Sequence, residues 1–236
     1  TLQFGRVSKY HVYHIPSGQA RRTVIGTLPA TEPSYMHSFG LTENYVVLTL
    51  IPLVVNPLRL RFAGKPFVEN YEWKPERGTR FVLMSRRDGS VRSYDAEALF
   101  AFHHVNAFEQ NGDVFVDVAA FPDTGVIDAL YLDRLRSGGM ATASAELRRY
   151  RLPANGSTAA YQPLSDETFE MPRINYGRCN CKDYRFAYGF SNRRDLPSEL
   201  PNQLIKIDVR ERRAFTWFAD GCYPGEPVFV PKPGTL

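Results

Sequence analysis

Phe81-Val82-Leu83-Met84, the turn residues Arg87-Asp88-Gly89, and Val91-Arg92-Ser93-Tyr94 read as two strands and the tight turn that joins them. The same grammar recurs on both sides. Upstream, Tyr45-Val46-Val47-Leu48-Thr49-Leu50 is a short buried strand, and Phe4 to Ile15 is rich in β-branched and aromatic residues before Pro16-Ser17-Gly18-Gln19 turns it into Ala20 to Ile25. Downstream, Asp113-Val114-Phe115-Val116-Asp117-Val118 alternates polar and apolar, the pattern of a half-buried strand. Tyr184 to Tyr188, Leu204 to Val209 and Ala214 to Phe218 continue the series, the last two joined by Arg210-Glu211-Arg212-Arg213, and Pro227-Val228-Phe229-Val230 is strand-like again. One helix is expected, over Asp128 to Arg136, where Leu130, Tyr131 and Leu135 have helical spacing and Gly138-Gly139 stops it. Many short strands with regular turns mean an all-β sandwich, barrel or propeller.

The chain has 236 residues, enough for a full core, and is 43% hydrophobic and 23% charged, so it is globular rather than disordered. The net charge of +4 is carried by scattered pairs, Arg86-Arg87, Arg148-Arg149, Arg193-Arg194 and Arg212-Arg213, which read as solvated strand ends and turns. A nucleic-acid surface needs clustered charge, so no nucleic-acid partner is expected. Three cysteines, Cys179, Cys181 and Cys222, do not make a disulfide framework and read as reduced thiols. No signal peptide and no apolar run of membrane-spanning length is seen, which suggests a cytoplasmic location. The chain opens at Thr1 almost directly in strand-like sequence and closes at Leu236 just after another such run, so it is expected to be a fragment of a longer protein.

Chemistry is concentrated in two strings. Tyr35-Met36-His37-Ser38-Phe39-Gly40-Leu41-Thr42-Glu43-Asn44-Tyr45 and Phe102-His103-His104-Val105-Asn106-Ala107-Phe108-Glu109 each set histidine among apolar residues. A neutral imidazole in such surroundings needs a partner, since an unpaired buried polar group costs about 1–3 kcal/mol. A metal ion is one such partner, and a backbone carbonyl is the commoner one. The polar residues embedded in the least polar strings are His37, His103, Glu170 and Glu226, at successive intervals of 66, 67 and 56 residues. One inward polar residue per elaborated blade of roughly 40–50 residues or more fits a propeller whose inner strands line an axis.

Together with Phe169-Glu170-Met171-Pro172-Arg173-Ile174-Asn175-Tyr176, Tyr184-Arg185-Phe186-Ala187-Tyr188-Gly189 and Gly225-Glu226-Pro227-Val228-Phe229-Val230-Pro231, the two histidine strings resemble the motifs of the carotenoid cleavage oxygenases, in that family's order. The string from Ser34 to Thr42 looks closest to the branch holding animal carotene oxygenases and the retinal-pigment-epithelium isomerase. The resemblance runs over residues 1–236, and it implies an internal portion of a seven-bladed β-propeller with non-haem Fe2+ on the axis, held by four histidines. It makes His37 and His103 two of those four, with His104 turned to the other face of its strand. It makes Glu170 and Glu226 two of the glutamates that hydrogen-bond ligand histidines, a contact that fixes the ring tautomer. His11 and His14 match no motif and read as surface or partner-satisfied residues. The first and fourth histidines would lie outside the chain, so 236 residues alone are expected to be inactive.

The implied activity is oxidative cleavage of a conjugated double bond of a carotenoid or apocarotenoid by O2, giving carbonyl products. Tyr35, Phe39 and Phe108 could line an apolar tunnel for such a polyene, although core packing is the commoner role for each. The stretch Ile51 to Phe62 follows the His37 region, with prolines that break regular structure and apolar residues interleaved with arginine. It reads either as a monotopic membrane contact or as a loop packed within the protein. Two other functions stay open on the residues: an oxygenase using His37, His103 and one glutamate, and a truncated, non-catalytic propeller.

Overall fold

Strands β1 (Leu2–Gln3), β2 (Ser8–His14) and β3 (Thr23–Ala30) form the first of four successive antiparallel sheets in the computed structural model, which describes residues 1–62, 64–137, 144–196 and 200–234. The second contains β4 (Gly40–Leu41), β5 (Tyr45–Leu50), β8 (Thr79–Ser85) and β9 (Val91–Ala96). Between β5 and β8 the chain makes a separate pair, β6 (Leu53–Val55) with β7 (Tyr71–Trp73), connected through helix α1 (Pro57–Phe62). The third sheet is β10 (His104–Gln110), β11 (Asp113–Ala120), β12 (Glu146–Leu152) and β13 (Ala160–Thr168), with helices α2 (Gly125–Ala129) and α3 (Leu132–Ser137) between its middle strands. The fourth is β14 (Glu170–Arg173), β15 (Phe186–Ser191), β16 (Gln203–Asp208) and β17 (Arg213–Trp217), with helix α4 (Tyr176–Cys179) after its first strand. Every sheet is a meander, the arrangement of propeller blades, and the fold is all-β and propeller-like, one of the three architectures that the strand series leaves open.

The sheets stack face to face, so the middle strands are buried on both sides. Val46, Leu48 and Val82 turn toward Tyr10 of the first sheet, while Val47, Phe81 and Leu83 pack into the main core with Phe108, Val116 and Tyr150 of the third. Phe81 and Tyr150 meet with ring centroids 4.8 Å apart. That two-sided burial explains why Tyr45 to Leu50 reads as a continuous apolar run instead of an alternating one. At Gly40 an added Cβ would lie 3.1 Å from Val47 Cβ and 3.2 Å from Ala107 Cβ, so the missing side chain lets β4 fit between the second and third sheets.

Several sequence expectations are corrected. Asp113 to Val118 is not half-buried: Asp117 is wholly enclosed and makes a two-bond ion pair with Arg149, Nε–Oδ1 and Nη2–Oδ2 both 2.8 Å. Tyr184 donates to the same carboxylate at 2.6 Å. Arg148-Arg149 is therefore mid-strand in β12, not a solvated end; Arg148 is buried and bonds Glu146 at 2.8 Å and Glu97 at 3.1 Å. The predicted helix is two short helices broken at Leu130-Tyr131, because none of their residues is buried and isolated turns of that length are marginal. Its stop, Gly138-Gly139, lies outside the described residues. Pro227 to Val230 forms no ladder; Pro227 and Pro231 lack the N–H that one requires. In the 51–62 stretch, Ile51 to Val55 is buried and partly strand, and only the helical half is a surface: Leu58 and Phe62 are 67% and 78% exposed. Among the described residues no helix is long and apolar enough to cross a membrane. The three cysteines are free thiols.

Candidate metal centre

His37 lies in the connection between β3 and β4, His103 immediately precedes β10, and Glu170 opens β14. Since β4, β10 and β14 each begin a sheet, three successive sheets deliver one polar side chain apiece at or just before their first strands. The two imidazoles meet edge to face, centroids 5.0 Å apart and planes at 85°. Phe102 packs against His37 with centroids at 5.5 Å and continues into an aromatic group with Phe100, Phe121 and Tyr35.

Behind His103, Nδ1 is 2.6 Å from Glu170 Oε2, and the same oxygen accepts the Met171 backbone N–H at 2.6 Å. A carboxylate accepts only, so Nδ1 carries the ring proton and Nε2 is left with a lone pair. His37 makes no hydrogen bond through its ring to any described residue. Two imidazoles in ring contact, each with an uncommitted nitrogen, are donors of the kind a borderline metal ion accepts, and these residues fit part of its ligand set. Glu170 Oε1 is buried and has no hydrogen-bond partner among the described residues.

Two backbone irregularities aim these groups. Val105 is an extra residue in β10: His104 opposes Val118 while Asn106 opposes the adjacent Asp117. The bulge ends the regular ladder where the histidines begin. Asn106 then anchors the loop after α4, donating to Lys182 O at 2.8 Å and Cys179 O at 3.1 Å. In β14, Glu170 opposes Phe190 and Arg173 opposes Tyr188, so Met171 and Pro172 share the space across from Gly189. Met171 takes up the surplus with φ of 48°, a left-handed backbone that side chains disfavour. No signal in the sequence marks either bulge.

An apolar cavity of about 200 Å³ adjoins His103, with Phe102, His103, Phe121, Phe169, Glu170 and Met171 in its walls. Tyr35 stands in the aromatic group behind Phe102, and burial raises its hydroxyl pKa. Phe39 is 56% exposed and borders a different depression with Tyr10 and Met36. Phe108 is a core residue, stacked on Phe115 at 5.3 Å and covered by the Arg149 guanidinium at 5.0 Å, which leaves no face for a ligand. Glu226 is exposed and bonded to Arg173, which also donates to Pro227 O at 3.1 Å; it meets no described histidine. His11 is satisfied at the surface by Gln3 and Thr27. The two-histidine, one-carboxylate alternative lacks its third ligand: Glu170 sits behind the His103 ring, and no group of three or more metal-binding side chains occurs among the described residues.

The sequence model of the family described as "Retinal pigment epithelial membrane protein" matches residues 1–235. A carotenoid isomerooxygenase of Galleria mellonella is 37% identical over 214 residues, covering 86% of this chain and 41% of that protein. The mitochondrial carotenoid-cleaving dioxygenase of Homo sapiens is 32% identical over 260 residues, covering 90% of this chain and 44% of its own. The chain thus spans less than half the length of these curated relatives. Cobalt-substituted apocarotenoid oxygenase of Synechocystis superposes with a TM-score of 0.84 at 22% identity, over 100% of this chain and 49% of that one.

Proposed function

Because the chain belongs to the retinal pigment epithelial membrane protein family, we propose that the complete protein is a non-haem iron dioxygenase that cleaves a conjugated double bond of a carotenoid or apocarotenoid. The observation that carries this reading is the His103 ring, held through Nδ1 by Glu170 and set edge-on to His37 at 5.0 Å. The four sheets are then part of a seven-bladed propeller, and His37 and His103 are two of its four iron-binding imidazoles. Ferrous iron, when bound, would activate O2; both oxygen atoms end in the two carbonyl products, and the cleaved double bond is what is oxidised.

The chain's own residues do three things. His37 and His103 present neutral nitrogens, so the ligands cancel none of the ion's charge. Glu170 keeps the His103 proton on Nδ1 and makes the ring a better donor. Phe102, Phe121 and Phe169 give the adjoining cavity the apolar walls that a polyene requires and exclude water from it. Glu226, held by Arg173, is the glutamate of a histidine other than these two. Leu58 and Phe62, exposed beside Arg59, form a contact with a membrane from which an apolar substrate enters.

The test uses the full-length protein loaded anaerobically with ferrous iron, then given a carotenoid and O2. Two aldehyde or ketone products per polyene, absent in His37→Ala and His103→Ala, are expected. Isomerised but uncleaved polyene would refute cleavage. Leu58→Asp with Phe62→Asp should reduce co-sedimentation with liposomes; unchanged sedimentation would remove the membrane contact.

A further inference from the structure

His104 has no task in the proposed chemistry, yet it is the more completely satisfied histidine of its pair. Its Nδ1 lies 2.8 Å from Ser38 Oγ and its Nε2 lies 2.8 Å from Thr49 Oγ1. Ser38 Oγ is also 2.7 Å from the Phe102 carbonyl and 2.9 Å from the His104 backbone nitrogen. A hydroxyl has one proton and two lone pairs. The proton goes to the Phe102 carbonyl, which can only accept. The lone pairs accept the backbone N–H of His104 and its Nδ1–H. That leaves Nε2 bare, and the Thr49 hydroxyl donates to it. Each donor and acceptor is used once, and the ring is a neutral Nδ1–H tautomer.

The placement of these bonds gives them a purpose. Ser38 adjoins His37, and Phe102 and His104 are the residues on either side of His103. One oxygen beside the first imidazole therefore grips the backbone on both sides of the second. Thr49 ties the same ring to β5, whose neighbours Val47 and Leu48 are core residues. We propose that Ser38, His104 and Thr49 form a clasp that fixes the separation and angle of the His37 and His103 rings. Ser38 and His104 are positioning residues that act through the two imidazoles and bind no metal themselves. The inference rests on the reading that His37 and His103 hold the metal.

Full-length protein with Co2+ as the probe separates the two claims. Affinity is measured by competition titration, ring geometry by the visible absorption of bound Co2+, and folding by melting of the metal-free form. Ser38→Ala and His104→Phe should each weaken Co2+ binding by roughly 10-fold or more and alter the spectrum, the size seen when a residue that orients a ligand is lost. His104→Asn, whose amide nitrogen can replace Nδ1–H, should restore affinity to within about threefold of the parent. If His104→Phe fails to fold, Ser38→Ala carries the test. Parent-like affinity and spectrum in Ser38→Ala would overturn the clasp while leaving the metal reading intact. Equal loss in His104→Asn and His104→Phe would also overturn it, because restoring the donor to Ser38 would then restore no affinity. Parent-like binding in His37→Ala would remove the metal reading and the clasp with it.

Discussion

A Cβ on Gly189 would lie 2.5 Å from the carbonyl oxygen of Glu170 and 2.8 Å from the Phe169 ring. Glycine at this position is what lets β15 lie close enough for the Met171 bulge to form opposite it. Gly189→Ala should push β14 outward and lower stability by about 1–3 kcal/mol, the usual cost of overpacking. It should also loosen the Glu170 hold on His103. Urea denaturation with Co2+ titration checks both; an unchanged midpoint would show that β14 can yield freely.

Glu170→Gln keeps the shape and removes the charge. The amide oxygen can still accept from His103 Nδ1, but as a weaker partner. Metal affinity should fall by roughly 10–100-fold with the melting temperature of the metal-free protein nearly unchanged. A parallel loss of melting temperature would mean that Glu170 serves the fold first.

The buried ion pair predicts a different asymmetry. Arg149→Leu strands the enclosed Asp117 carboxylate beside only Tyr184, and should cost about 3–5 kcal/mol. Arg149→Leu combined with Asp117→Asn should recover a large part of that loss. Denaturant midpoints of the single and double variants give the coupling directly, and simple additivity would contradict the pairing.

Glu109 supplies a pH dependence. Burial pulls its carboxyl upward, but hydrogen bonds from the Thr42 hydroxyl and from the Asn44 side chain and backbone more than offset this, and its pKa is lowered. The unfolded chain then binds the proton first as pH falls. The stabilisation is present above the unfolded value of about 4.3 and is lost as pH drops through the folded one. The stability gap between parent and Glu109→Gln should therefore be constant above about pH 5.5 and narrow as pH falls below about 4. A gap that does not narrow at all as the pH is lowered would contradict it.

The fold was legible because the hairpin around Asp88-Gly89 and the run Tyr45 to Leu50 follow local rules of turn and period. The candidate site is legible in part: motif and interval single out His37, His103 and Glu170, and the fold sets His103 between the other two. What was not legible depends on partners distant in sequence. Arg149 looks like surface charge until Asp117, on the neighbouring strand, is placed against it. Phe108 can be read as core or tunnel from sequence, and the Phe115 ring stacked on it decides for the core. Leu53 to Val55 looks like a broken loop because prolines flank it, yet it finds Tyr71 to Trp73 after an intervening helix. The bulges at Val105 and Met171 leave no mark because a surplus residue is defined only against the strand opposite.

The meander order has a consequence in time. Nearly every strand pairs with its neighbour in the chain, so each sheet can assemble from nearby segments, and only the stacking of sheets joins distant ones. His37, His103 and Glu170 come from three different sheets. A sheet formed alone can set the bulge that aims its own side chain, but not the contacts between the three side chains. A refolding chain should regain its strand signal before it can capture Co2+, and the delay between the two would time the closing of one sheet upon the next.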